Sequence, residues 1–178
     1  WGALFDCSHR WEGVHLLGMF KPSGLRAQLG TAIHASTAIF DTSRMNDAGL
    51  TADECAQALV DTLRRPDREC DFSGEDLTVN EAERIGLALH AKYCEQISPR
   101  YTFFAVELTT KTLVIDCGNG VEIEMTGTMD RARVVECGGE LAIGDLKSGK
   151  NAVSSEGLAK TRGHAPQVGT YQILTEHT

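Results

Sequence analysis

Apolar residues recur every three or four positions through residues 1–98 and every second position from about residue 100, so the chain is expected to be helical first and stranded second. In "WGALFDCSHRWEGVHLL", Leu4, Cys7, Trp11 and His15 fall on one helical face. In "AQLGTAIHASTAIF" the same spacing groups Leu29, Ile33, Thr37 and Phe40, with "FKPSG" as the break between the two helices. "LTADECAQALVDTLRRPD" carries its own boundaries: Thr51 as N-cap, Glu54 as capping-box partner, and Pro66 as terminator. "LTVNEAERIGLALHAKYCEQISP" puts Ala82, Ile85, Leu89 and Tyr93 on one stripe and stops before Pro99. The polar "RECDFSGED" between these last two helices reads as a loop.

Beyond residue 100 the chain is rich in Val, Ile, Thr and Phe, and Asn119-Gly120 and Gly138-Gly139 are hairpin signals. The expectation is a strand meander followed, after "NAVSSEG", by a helix over about residues 157–177. The pattern therefore predicts an α/β chain of the mixed α+β kind. It has a helical N-terminal half (1–98), a central mixed sheet built from the meander, and a closing helix (100–178), all in one domain over 1–178. No internal repeat or low-complexity tract interrupts it.

Composition narrows the function classes. Apolar residues make up 42% and charged residues 24%, ordinary for a globular chain. No apolar run approaches the roughly 18 residues of a membrane span, and no signal peptide is visible. The first residue is Trp1 rather than Met, so either end is expected to be incomplete. The formal charge of −8 argues against a surface coated for nucleic acid, though not against a local basic groove. Cys7, Cys55, Cys70, Cys94, Cys117 and Cys137 form no C-x-x-C pair, so reduced thiols in a cytoplasmic setting are expected and a structural zinc is not.

The candidate chemistry lies in "GTMDRARVVECGGELAIGDLKSGK", residues 127–150. With Gly138-Gly139 as a two-residue turn, Asp130 falls directly opposite Lys147, and Asp145 shares that face. Opposed Cβ atoms lie about 5 Å apart and diagonal ones about 7 Å, so the three side chains converge. Two carboxylates that close repel unless a cation sits between them, and a hard divalent ion such as Mg²⁺ is the natural one. Lys147 beside it could orient or deprotonate a water. A solvated Asp–Lys cross-strand pair explains the same pattern equally simply. Gln167 and Tyr171 lie one helical turn apart, and His34 sits among small residues on a helix; taken singly, each is also an ordinary exposed polar residue.

In order along the chain stand His34, then Gly127-x-x-Asp130-Arg131, then Asp145-x-Lys147-Ser148-Gly149-Lys150, then Gln167-x-x-x-Tyr171. This set resembles the PD-(D/E)XK nuclease superfamily, and within it the RecB-type exonuclease branch that includes CRISPR-adaptation and phage exonucleases. The resemblance covers about residues 3–175. It implies a metal-dependent DNA nuclease in recombination, repair or phage DNA metabolism. Asp130, Asp145, His34 and the Leu146 backbone carbonyl would hold Mg²⁺ or Mn²⁺, and Lys147 would be the catalytic lysine. Gln167 and Tyr171 would position the lysine and the DNA backbone, and Arg131 and Lys150 would face phosphates. Lys160 and Arg162, with His164, would extend that basic rim. Glu107, on the first strand, would support the site or simply be an exposed strand position.

The opening "WGALFDCSHRW" resembles the family's N-terminal cysteine segment, with Ser8-His9 in place of proline. In many relatives that cysteine and three later ones hold an iron–sulfur cluster. No cysteine follows Cys137, so no cluster is expected in the chain as given. The implied partners are DNA and, beyond it, a helicase or a single-strand annealing protein, with no membrane. An endonuclease on the same site, a non-catalytic DNA-binding scaffold and a metal hydrolase of another substrate stay open on the sequence.

Overall fold

The computed structural model describes residues 7–135, 140–149, 152–161 and 163–176. Leu4, the Gly138-Gly139 turn, Lys150 and Arg162 lie outside the described residues. Helices α1 (Ser8–His15), α2 (Leu25–Met45), α3 (Ala52–Arg64) and α4 (Val79–Lys92) come first. Strands β1 (Thr102–Thr109), β2 (Leu113–Asp116), β3 (Glu122–Met125), β4 (Thr128–Val134) and β5 (Leu141–Gly144) follow, and helix α5 (Ala165–Thr175) comes last. Among the described residues no helix is long and apolar enough to cross a membrane.

The helical half is organised by α2. Leu25, Ala32 and Ile33 on α2 meet Leu59 and Leu63 of α3 and Ala82 of α4 in the main core. The predicted capping box at Thr51 and Glu54 forms, and Thr78 and Glu81 make a second one that opens α4. The buried stripe of α4 differs from the expected one. Ala82, Gly86 and His90 face inward, whereas Ile85 and Leu89 are about 40% exposed. Gly86 is the reason. A Cβ there would come within 2.9 Å of Leu29 Cδ1 and 3.1 Å of Leu59 Cδ2, so the helices approach along the small residues instead of the large ones. A π-turn at Tyr93–Ile97 and a 3₁₀ turn at Ser98–Arg100 end the helical half.

The strand pairs among the described residues are all antiparallel. One three-stranded sheet has the order β1-β4-β5, and β2 pairs with β3. The meander is present, as a long hairpin interrupted midway. The β1–β4 ladder runs out to Thr110, whose N–H donates to the Gly127 carbonyl, and the chain resumes pairing at Leu113 with Met125. Its tip differs from a two-residue Asn-Gly turn. Cys117 pairs with Val121 across Gly118, Asn119 and Gly120, all three at positive φ.

The β4–β5 register also differs from the expected one. Arg131 pairs with Gly144 and Val134 with Leu141, and Val135 N–H donates to the Glu140 carbonyl. Carried forward, that register sets Asp130 against Asp145 rather than Lys147. The shift is an even two residues, so the faces of the strands are unchanged. α5 is shorter than expected. Residues 152–160 instead form a small turn with a Val153–Ala159 bridge and Gly157 at φ 76°, and the helix starts only at Ala165.

Candidate active site

Three elements converge on one spot. His34 comes from the middle of α2, Glu107 from β1 and Asp130 from β4. One ligand atom from each lies within 4.8 Å of the other two. His34 Nδ1 is 3.5 Å from Asp130 Oδ2, which also accepts the Leu146 N–H at 2.8 Å. Glu107 lies between Val106 and Leu108, whose partners are Arg131 and Met129, so it stands across the ladder from Asp130. Its φ of 50° is a conformation that costs a non-glycine residue about 1–3 kcal/mol, and such strain gathers at functional sites.

Asp145 and Lys147 flank this trio on the segment that leaves β5. Lys147 Nζ is 2.9 Å from Asp145 Oδ2 and 3.5 Å from Gln167 Oε1. Gln167 in turn donates to the Tyr171 hydroxyl at 3.0 Å, as their one-turn spacing on α5 requires. The α5 helix reaches the site because Gly127 lets it. A Cβ at that position would lie 2.9 Å from Tyr171 Cε1 and 3.3 Å from Leu174 Cδ1. On the other side Ser148 approaches Gly30, one turn before His34 on α2.

Not every expected residue is where the sequence placed it. Among the described residues the close ligand group is His34, Glu107 and Asp130, so Glu107 stands in it and Asp145 does not. Asp145 lies just past the end of β5, where its carboxylate pairs with Lys147. Arg131 does not face phosphates. It is only 3% exposed, its guanidinium donates to Asp41 Oδ2 at 2.6 Å, and a side chain held so cannot reach a DNA backbone. Lys160 and His164 do line a cavity of about 660 Å³ together with Asp145, Lys147 and Val168.

Sequence reasoning missed Asp41, Tyr93 and Ser98 as parts of this region. Asp41 is wholly buried and accepts from Tyr93 Oη at 2.7 Å and Ser98 Oγ at 2.5 Å as well as from Arg131. Burial, and then the Asp41 carboxylate, push the Tyr93 phenol well above its usual value. Nearby, burial pushes the Cys94 thiol up to about 12, which makes it unreactive. The available signal was polar spacing. His34, Thr37 and Asp41 recur at helical intervals on one face of α2.

The charge balance favours a cation. Among the described residues here, Asp41, Glu107, Asp130 and Asp145 are set against Arg131 and Lys147. Lys147 pairs with Asp145, and Arg131 is shared between buried Asp41 and Glu107, so negative charge remains in excess around Glu107 and Asp130, beside His34. An imidazole nitrogen and two carboxylates at this spacing suit a divalent metal. Neither the curated proteins nor the solved structures yield a match to the chain. A family model does match, over residues 3–178, and it is a model of nucleases. With nearly its whole length inside that match, the chain belongs to the PD-(D/E)XK nuclease superfamily.

Proposed function

We propose that the chain, as one nuclease domain, is a Mg²⁺- or Mn²⁺-dependent deoxyribonuclease that hydrolyses phosphodiester bonds as a RecB-type exonuclease. The observation that carries the metal site is the convergence of His34, Glu107 and Asp130 within 4.8 Å. Asp145 and the Leu146 carbonyl are the further ligands in this reading. A bound divalent ion there supplies Lewis acidity toward a phosphate oxygen and eases deprotonation of water.

The protein's own groups do the rest. Lys147, 35% exposed, presents an ammonium beside the carboxylates, where it can hold a water or a non-bridging phosphate oxygen by hydrogen bonds. Gln167 and Tyr171 keep that ammonium from swinging into solvent. Lys160 and His164, lining the adjoining cavity, suit the phosphate next to the scissile one. The exonuclease branch, and a helicase or annealing protein as partner, rest on the resemblance of the ordered motifs.

The test is digestion of end-labelled linear and covalently closed circular DNA with Mg²⁺ and with Mn²⁺. Loss of linear DNA alone, abolished by Asp130→Ala and by Asp145→Ala, is the expected result. Cleavage of the circle would make the enzyme an endonuclease, and undiminished cleavage by either variant would refute the site.

A further inference from the structure

The three candidate ligands belong to three separate elements, and one buried side chain ties those elements together. Arg131 Nε donates to Asp41 Oδ2 at 2.6 Å and Nη2 donates to Thr37 Oγ1 at 3.2 Å, both on α2. Its Nη1 turns the other way, toward Glu107 Oε1 at 3.2 Å on β1 and the Asp130 carbonyl at 2.7 Å on β4. Thr37 itself lies against His34, since its hydroxyl is 3.1 Å from the His34 carbonyl. Asp41 is anchored in turn by Tyr93 and Ser98, from the turns that follow α4.

We propose that Arg131, clamped by Asp41, is the positioning residue that holds His34, Glu107 and Asp130 in one cation-binding arrangement. The proposal rests on the metal-site reading above. A guanidinium is planar and its donors are fixed in a fork, so pinning one edge on α2 fixes where the other edge holds β1 and β4. The strained φ of Glu107 fits this role, because strain persists only where the surroundings over-determine it.

Neutralising Asp41 would act on the site in two ways that agree in sign. The Arg131 charge would lose its match and would repel an incoming cation. Glu107 would also become that charge's main carboxylate partner and so a poorer ligand. Groups that orient metal ligands from behind typically change affinity about 10- to 100-fold when removed.

The experiment is calorimetric titration of the full chain with Mn²⁺, alongside thermal melts. Asp41→Asn is expected to weaken Mn²⁺ binding about 10-fold or more. Thr37→Val, which removes one acceptor without changing charge, is expected to weaken it by less. Leu63→Ala, a core change outside the Arg131–Asp41 hydrogen bonds, should lower the melting temperature and leave Mn²⁺ affinity alone. Variants of Asp41 and Thr37 that melt lower yet bind Mn²⁺ like the parent would show a purely structural network and overturn the proposal. If Asp41→Asn does not fold, Thr37→Val decides by the same criterion. A parent chain that binds no Mn²⁺ would instead overturn the metal-site reading itself.

Discussion

Replacing Gly127 by alanine tests how the last helix is coupled to the chemistry. The backbone there is not in the left-handed region, so alanine meets no conformational barrier and only space opposes it. The new methyl would lie 2.9 Å from Tyr171 Cε1, closer than real Cβ contacts, and 3.3 Å from both Tyr171 Cδ1 and Leu174 Cδ1. Leu174 is fully buried and cannot swing away, so α5 must move as a body by a few tenths of an ångström or more. Such overpacking costs about 1–3 kcal/mol, which for a chain of this size is a drop of about 2–12 °C in melting temperature. The larger effect is expected on rate. Tyr171 holds Gln167, and Gln167 holds Lys147, so a shift of α5 reaches the lysine, and misplacement by about 1 Å can lower turnover about 100-fold. The assay is steady-state digestion of linear DNA at a temperature where the variant is fully folded. Gly30→Ala serves as the control, because its Cβ meets only Ser148 Oγ at an ordinary 3.5 Å. If Gly127→Ala keeps the parent turnover while the melt shows it folded, the chain of contacts from α5 to Lys147 has no catalytic role.

Three further outcomes follow from the same geometry. Gly86→Ala is expected to destabilise by about 1 kcal/mol in a urea titration, because overpacking against Leu29 and buried Leu59 exceeds the gain from replacing a helical glycine; a more stable variant would contradict the close α2–α4 approach. Lys147→Ala should lower turnover about 100- to 1000-fold with Mn²⁺ affinity undiminished, since Asp145 is released from its ion pair; a parallel fall in affinity would argue that the lysine orders the ligands instead. On the acid side, Glu54 is held below its usual range by the Thr51 backbone N–H and then its hydroxyl. Glu81 is lowered by the Thr78 hydroxyl and then its N–H, and Asp71 by Ser73 in the same order. Carboxylates lowered in the fold contribute stability above their unfolded pKa and lose it as pH falls through the folded one, so melting temperature should decline below about pH 4.3. The decline should be shallower in a Thr51→Ala, Thr78→Ala double variant, and equal slopes would refute the assignment.

Local rules wrote much of this molecule into its sequence. A threonine three residues before a glutamate and a helix-forming run can close a capping box, so the α3 boundary was legible, and that of α4 carries the same signature. The change of hydrophobic period near residue 100 marks the move from helix to strand because side chains repeat every 3.6 residues in one and every two in the other. The order of His34, Asp130, Asp145, Lys147, Gln167 and Tyr171 pointed to the nuclease family before any distance was known, and the family match agrees with it. Contacts between distant segments decided what remained. Gly86 turned α4 onto its small residues, a choice that no count of apolar positions along α4 could make. A two-residue difference in the β4–β5 register set Asp145 rather than Lys147 against Asp130, because the pair of glycines in the sequence does not by itself fix how the flanking strands align. Arg131 and Glu107 show the limit best. An arginine beside a candidate ligand reads as a phosphate contact, and a glutamate on a strand reads equally as support for the site or as surface. Asp41, 90 residues away in the chain, holds the one buried, and the other, on a strained backbone, stands within 4.8 Å of ligand atoms of His34 and Asp130.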